Sequence, residues 1–328
     1  MSAVLGFVEH DRGALVPAAL EGLRFGRELA ATLGTDVHAV TIGEAADGVA
    51  TELGAHGAVV VHQAHHELLA DYGADTSADA LADLVASLEP AAVVACGTDR
   101  GNEVLAQLAA RLDAPFVANV LPPDLDTAAG AVWELTRVRW GGSLLERATV
   151  TAPVKLLSVA LHAVDAATAD TPGAGEPKPF TPAIDPASAV TVVRDRVERE
   201  AGVTLATAGV VVGGGRGVGS AEGFAPLEEL AAALGGVVGC SRAVTNNGWR
   251  NHTDQVGQTG TRIGADVYFA CGISGAIQHW VGASGAKCII AVNTDPAANM
   301  VTKADYAVIG DLHEVVPAIT AELAARRG

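Results

Sequence analysis

A chain of 328 residues, 49% of them apolar, is long enough for two domains of ordinary size, each with its own core. With 38 acidic against 21 basic residues the formal charge is -17, which argues against a nucleic-acid surface and leaves no basic tract for anionic lipid. Small molecules and protein partners remain.

The start MSAVLGFVEHDRG lacks the basic segment that opens a secretory leader, and no apolar run approaches the roughly 20 residues of a membrane span. A cytoplasmic protein, not integral to a membrane, is expected. Cys96, Cys240, Cys271 and Cys288 stand singly with no CxxC pair. They are expected as small buried hydrophobes in strands, with neither a zinc site nor a redox dithiol. Only four lysines occur while Ala, Gly, Asp and Val abound, a composition that suits salt adaptation and GC-rich codon use equally.

Through the first half, short β-rich runs alternate with helical patterns. AVLGFVEH, DVHAVTI, AVVVH, AAVVACG and PFVANV read as strands, with LVPAALEGLRFGRELAATLG, LADLVASLEP and NEVLAQLAARL as helices among them. Such alternation predicts βαβ crossovers and a parallel sheet. VHQAHHELL holds His62, His65 and His66, but Ala70 stands where H-E-x-x-H needs its second histidine, so loop histidines are expected rather than a metal site. AVWELTRVRW and SLLERATVTA flank Gly141 and Gly142 and predict an antiparallel hairpin. After the strand VKLLSVAL, residues 165–190 are rich in Pro, Ala and acidic residues without a periodic apolar face, and an interdomain connection is expected there.

From Thr207 a second alternation begins: TAGVVVGGG, VVGCS, VYFACG, KCIIAVN and YAVIG as strands, separated by helices and one long polar loop. A doubly wound parallel sheet is expected, its functional groups lying where strands end and helices begin.

Those strand ends carry a series of polar side chains. VVVGGGRGVGS fails the G-x-G-x-x-G spacing, so its glycines make either a tight turn or a phosphate cradle, with Arg216 suited to a pyrophosphate. Ser241 and Arg242 follow the next strand, and QVGQTG offers Gln255, Gln258 and Thr259 with glycines that let backbone approach a flat ligand. Ser274 in GISGAIQH either caps a helix or meets an anion there, with Gln278 and His279 about one turn further on. As imidazolium, His279 would stabilise negative charge. Asn293 and Asp295 end one strand and Asp311 ends the last, where such groups suit ribose hydroxyls or an adenine edge.

The ordered run GGRG, SR, QVGQTG, GISGAIQH, VN-x-DP, ADY and GDL, from about residue 210 onward, closely resembles the FAD-binding domain of the electron transfer flavoprotein alpha (FixB) family. GTDRGNEV and RVRWGGSLLERATV extend a looser likeness over the first half. The resemblance implies an α/β chain of two domains: a Rossmann-like (nucleotide alpha hydrolase-like) domain with hairpin and connection over 1–190, and a doubly wound FAD-binding domain over 191–328.

It also implies roles. Arg216, Ser241, Ser274 and Gln278 would meet the FAD pyrophosphate or ribityl chain; Arg242 and Thr259 would lie near flavin N5 and the C4 carbonyl edge, and His279 near the C2 carbonyl. Asn293 and Asp311 would hold the adenosine, with Gln255, Val256, Gly257, Gln258, Gly260, Gly275, Ala276 and Leu312 completing the site. No catalytic residue and no metal are implied, since the family carries electrons instead of converting a substrate. Its members pair with a beta subunit, accept electrons from dehydrogenases of the acyl-CoA type, as in fatty-acid oxidation, and pass them to a membrane quinone oxidoreductase. A bifurcating carrier using NADH, or a non-redox module that binds an adenine dinucleotide, are the alternatives. Thr294 replaces the lysine common in N-K-D-P, while Asn246 and Trp249 replace an acidic and a Phe or Tyr residue, so partner-facing details of that loop differ from the family pattern.

Overall fold

Runs of Val, Ala and Leu that are apolar at nearly every position suit only a sheet covered on both faces. The computed structural model describes residues 2–126, 132–142, 144–195 and 203–327. It divides into two compact units, the first ending at residue 198 apart from residues 141–143, the second beginning at residue 199.

In the first unit β1 (Val4–Phe7), β2 (His10–Asp11), β3 (Ala14–Leu15), α1 (Pro17–Leu33), β4 (Val37–Ile42), α2 (Ala50–Ala55), β5 (Val60–Ala64), α3 (Ala74–Leu88), β6 (Ala92–Cys96), α4 (Asp99–Leu112), β7 (Phe116–Asp126), β8 (Val132–Arg139), β9 (Leu144–Thr151), β10 (Lys155–Val159) and β11 (Glu176–Phe180) follow in order. The main sheet runs β11-β5-β4-β1-β6-β10-β7-β8-β9. It is parallel as far as β7, and the predicted hairpin continues it as antiparallel β8 and β9. Neighbouring residues point to opposite faces: Val4 and Val37 pack with Leu23 and Phe25 of α1, whereas Leu5 and Val40 pack with Leu81 of α3 and Leu105 of α4.

The segment expected as an interdomain connection belongs instead to this sheet. β11 pairs in parallel with β5, and Ile184 packs on Ala64, Leu69 and Ala80. Ser188 hydrogen-bonds to Asp79, and the Thr191 amide donates to Asp75 Oδ2 at 3.1 Å. Pro177 and Pro179 explain the texture, because a strand lacking two N–H donors is tolerated only at a sheet edge.

His62 likewise lies in strand β5 instead of a loop, buried, with Nε2 at 3.1 Å from His38 Nδ1. His65 pairs with Asp47 at 2.8 Å, and His66 Nδ1 accepts from the Leu68 amide. Burial, with the neighbouring His38 and Lys178 adding to it, pulls His62 down to about 4 from its ordinary 6.5. Above pH 6.5 the ring is neutral in folded and unfolded chain alike. Between 6.5 and 4 the unfolded chain takes up the proton first, so stability falls as the pH is lowered across that window and levels off below it. Urea midpoints measured from pH 7 to 4.5 are expected to drop less steeply in His62→Gln than in the parent chain.

The second unit contains β12 (Val210–Gly214), α5 (Ala225–Leu234), β13 (Val237–Cys240), α6 (Arg242–Asn246), β14 (Val267–Cys271), α7 (Ile277–Ala283), β15 (Ile289–Asn293), α8 (Asn299–Lys303), β16 (Tyr306–Ile309) and α9 (Leu312–Arg327). Its strands are all parallel, in the order β13-β12-β14-β15-β16. The expected doubly wound sheet is present, with one core around Val211, Tyr268 and Ala283 and another around Val212, Phe224 and Leu227. Cys96, Cys240 and Cys271 are buried in strands as expected, while Cys288 lies partly exposed just before β15.

Candidate functional site

In the order β13-β12-β14 the chain winds first one way and then the other from β12, so loops leaving β12 and β14 diverge and open a crevice at the carboxyl ends of the strands. Glycines bring the two loops together at its floor. The Gly215 amide donates to Cys271 O at 2.9 Å and the Gly217 amide to Gly272 O at 3.1 Å. A Cβ on Gly215 would stand 2.2 Å from Gly272 O, and Gly272 itself has φ +63°. The glycines of VVVGGGRGVGS thus serve packing between loops, and the 3-10 turn Arg216–Val218 that follows sets Arg216 on the crevice wall.

A cleft of about 660 Å³ results, within the range of small-molecule sites, and all five strand ends line it. β12 supplies Arg216; β13 supplies Ser241, Arg242 and Asn246; β14 supplies Gly272 through Ala276 together with Gln278 and His279. Asn293, Thr294 and Asp295 follow β15, and Asp311, Leu312 and His313 follow β16. The charge is polarised along the sheet: both arginines come from β12 and β13, both aspartates from β15 and β16. Among the described residues neither Arg216 nor Arg242 makes an ion pair or a side-chain hydrogen bond. Two uncommitted guanidinium groups in a chain of charge -17 mark one end of the cleft as a place for an anion.

Twelve of the expected residues therefore meet: Arg216, Ser241, Arg242, Ser274, Gly275, Ala276, Gln278, His279, Asn293, Asp295, Asp311 and Leu312. Thr294 and His313 join them, and each lies within four residues of a strand end, the signal by which both could be found.

Six expected residues, those of QVGQTG, do not line the cleft. Gln255 is turned inward, 3% exposed, with Oε1 accepting from Thr245 Oγ1 at 2.9 Å and Nε2 donating to Thr259 Oγ1 at 3.0 Å. Val256 is core, its amide bonded to Cys240 O at 2.9 Å. Gly257 and Gly260 are close-approach points: a Cβ on Gly282 would stand 2.3 Å from Gly257 N, and one on Gly260 2.2 Å from Gln255 O. Only Gln258 and Thr259 are exposed, and the Gln258 amide ties the loop tip to Gln278 O at 2.7 Å, beside the start of α7. A polar residue can point inward here because the two threonines satisfy its amide. Gln255→Ala, which removes both of these buried hydrogen bonds and leaves a cavity, is expected to destabilise the second unit by about 2 kcal/mol, read as a lower thermal midpoint.

Several lining residues are already partly engaged. Asn293 Nδ2 donates to Ile273 O at 3.0 Å and its Oδ1 accepts from the Asp295 amide at 3.0 Å, joining the ends of β14 and β15. Asp311 Oδ1 accepts from the His313 amide at 2.9 Å, a capping bond at the start of α9 that leaves Oδ2 for another partner. Ser274 does not cap α7, whose N-cap is Ala276, and its side chain is exposed. Ser241 is the N-cap of α6, but its hydroxyl makes no capping bond.

His279 is not the imidazolium expected. It is 6% exposed, and burial pulls it down to about 4, with the Val256 peptide group opposing weakly. The ring is neutral at pH 7. Nε2 lies 2.8 Å from the Tyr268 hydroxyl, and Nδ1 is buried without a well-formed hydrogen bond.

Residues 4–193 match the electron transfer flavoprotein domain, and residues 204–284 match the electron transfer flavoprotein FAD-binding domain. The chain belongs to the electron transfer flavoprotein alpha-subunit family. It is 36% identical to the electron transfer flavoprotein subunit alpha of Bacillus subtilis over 94% of each chain, and 36% identical to that of Mycobacterium leprae over the full length of both. It is 35% identical to the FixB protein of Bradyrhizobium diazoefficiens over 98% of this chain and 88% of that one. A likeness to a putative thiamin diphosphate-dependent enzyme from Mycobacterium smegmatis, at TM-score 0.26 and 13% identity over 97% of this chain and 59% of that chain, is too slight to carry an argument.

The second unit is thus an FAD-binding domain, and its residues fit that group. Free guanidinium groups at one end suit a pyrophosphate. Carboxylates at the other end suit ribose hydroxyls, and the buried, unpartnered Nδ1 of a cleft histidine is a polar atom left for a ligand.

Proposed function

We propose that this chain is the alpha subunit of a heterodimeric electron transfer flavoprotein, that it holds FAD in the cleft at the strand ends, and that it carries electrons from dehydrogenases of the acyl-CoA type to a membrane quinone oxidoreductase. The observation that carries the reading is the polarised cleft, with unpaired Arg216 and Arg242 at one end and Asp295 and Asp311 at the other, in a domain of this family. The isoalloxazine ring of FAD supplies reversible uptake of electrons.

The chain's own part is to bind, orient and tune. Arg216, Ser241, Ser274 and Gln278 are assigned to the phosphates and ribityl chain, where charged and neutral donors meet anionic or hydroxyl oxygens. Asn293 and Asp311 are assigned to the adenosine: Asp311 Oδ2 accepts from a hydroxyl, while Asn293 mainly holds the loop ends in register. Arg242 and His279 of the cleft, with Thr259 on the exposed loop tip tied to Gln278, are assigned to the ring, where donors stabilise the charge that reduction places on it. A beta subunit completes the carrier, and the hairpin of β8 and β9 is assigned to that contact.

The chain purified with the neighbouring beta subunit is expected to show the two visible absorption bands of bound flavin. Those bands are expected to bleach anaerobically with an acyl-CoA dehydrogenase and its substrate, and to return when the quinone oxidoreductase and a quinone are added. A colourless complex that takes up no FAD overturns the reading, and a complex bleached by dithionite alone overturns the assignment of donors.

A further inference from the structure

One buried tyrosine next to the site is unexplained by binding, because it does not line the cleft. Tyr268 lies in β14 with no exposed surface, and its hydroxyl has His279 Nε2, at 2.8 Å, as its hydrogen-bond partner. The opposite strand yields space for it: a Cβ on Gly213 of β12 would stand 2.3 Å from that hydroxyl. A glycine in the middle of an apolar strand, otherwise costly, is thereby accounted for.

Two arrangements of protons are compatible with the pair, and they differ in how many groups they strand. If Nε2 carries the ring proton and donates to the phenol oxygen, the tyrosine O–H has no acceptor and the Nδ1 lone pair has no donor. If the phenol donates to Nε2, the proton sits on Nδ1 and only that N–H is left without a hydrogen-bond partner. A buried donor without a partner costs about 1 to 3 kcal/mol, so the arrangement that strands one group wins over the one that strands two.

We propose that Tyr268 is a positioning residue: its hydroxyl donates to Nε2 of His279 and fixes the tautomer with a single proton on Nδ1, the form in which His279 serves the cleft. Burial supports this from both sides, holding the Tyr268 phenol well above its ordinary value, so that it keeps its proton to donate, and keeping the imidazole singly protonated at pH 7. A donor bonded to Nε2 also polarises the ring and strengthens Nδ1–H as a donor in turn. The consequence for the cofactor rests on the FAD reading above; the tautomer itself does not.

Histidines of the full chain labelled with nitrogen-15 report the tautomer directly in long-range proton–nitrogen correlation spectra, with His279 assigned by its loss in His279→Gln. At pH 7 the expected spectrum has Nδ1 protonated and Nε2 bare, changing in Tyr268→Phe to a mixture of both tautomers. A protonated Nε2 in the parent chain overturns the proposal, as does the same tautomer in both proteins. Should Tyr268→Phe not fold, the spectrum of the parent chain still decides. In the FAD-loaded complex, Tyr268→Phe is expected to weaken binding of reduced relative to oxidised FAD about 10-fold, which for a two-electron couple reads as a potential lower by about 30 mV. An unchanged ratio overturns the role at the cofactor, whereas failure of both proteins to bind FAD overturns the functional reading and leaves the spectra to judge the tautomer.

Discussion

Gly215→Ala is expected to lower the stability of the second unit by about 3 kcal/mol and to abolish tight FAD binding. The backbone at Gly215 is extended and accepts any residue, so the whole effect is steric. The new Cβ would meet Gly272 O at 2.2 Å, Gly272 C at 2.7 Å and Ile273 Cα at 2.8 Å, all main-chain atoms with no flexible end to yield. Relief requires the loops after β12 and β14 to separate, which breaks the two hydrogen bonds between them and widens the floor of the cleft. Gly209→Ala is the control, since its Cβ would find only Asp266 Oδ2 at an ordinary 3.4 Å and is expected to leave the thermal midpoint unchanged. Equal midpoints for Gly215→Ala and Gly209→Ala would show that the loops do not approach as described.

Arg216→Ala and Arg242→Ala are each expected to weaken FAD binding about 10-fold to 100-fold, the range for loss of a hydrogen bond to a charged group, without lowering the thermal midpoint of the apoprotein. Both side chains are exposed and unpaired, so removing either strands nothing inside the chain. The two face one end of the same cleft, and the double substitution is therefore expected to fall short of the product of the single effects. Flavin fluorescence on titration measures the affinity, and the arginine contribution is expected to shrink as salt is raised. Binding indifferent to both substitutions would move the pyrophosphate away from the end of β12 and the flavin ring away from the end of β13. Asp311→Ala is the complementary change, acting at the other end.

How far the site could be read from residues alone follows from one property of parallel sheets. Every strand of such a sheet delivers its loop to the same edge, so a polar residue placed just past each apolar run is placed near all the others. Arg216, Arg242, Ser274, Asn293 and Asp311 share a cleft for that reason, although up to 95 positions separate them. Where a loop runs on before the next strand, the rule loses its hold. QVGQTG looked like another strand-end tip, but the turn folds back beside β13 through a bridge between Cys240 and Gln255, and that bridge turns Gln255 and Val256 inward. Which side such a loop faces depends on partners distant in sequence, here Thr245 and Gly282.

By itself the sequence determined the alternation of elements, the doubly wound second unit, the hairpin and the family, because periodicity and ordered motifs are local properties. Only the tertiary structure decided that the proline-rich segment supplies an edge strand, because a strand lacking N–H donors shows no sequence pattern until its neighbour β5 is in place. It alone decided that the glycines of VVVGGGRGVGS make room for Tyr268 and for Gly272. It alone decided the charge of His279, since an imidazole is charged or neutral according to the water around it, and burial against Tyr268 removes that water.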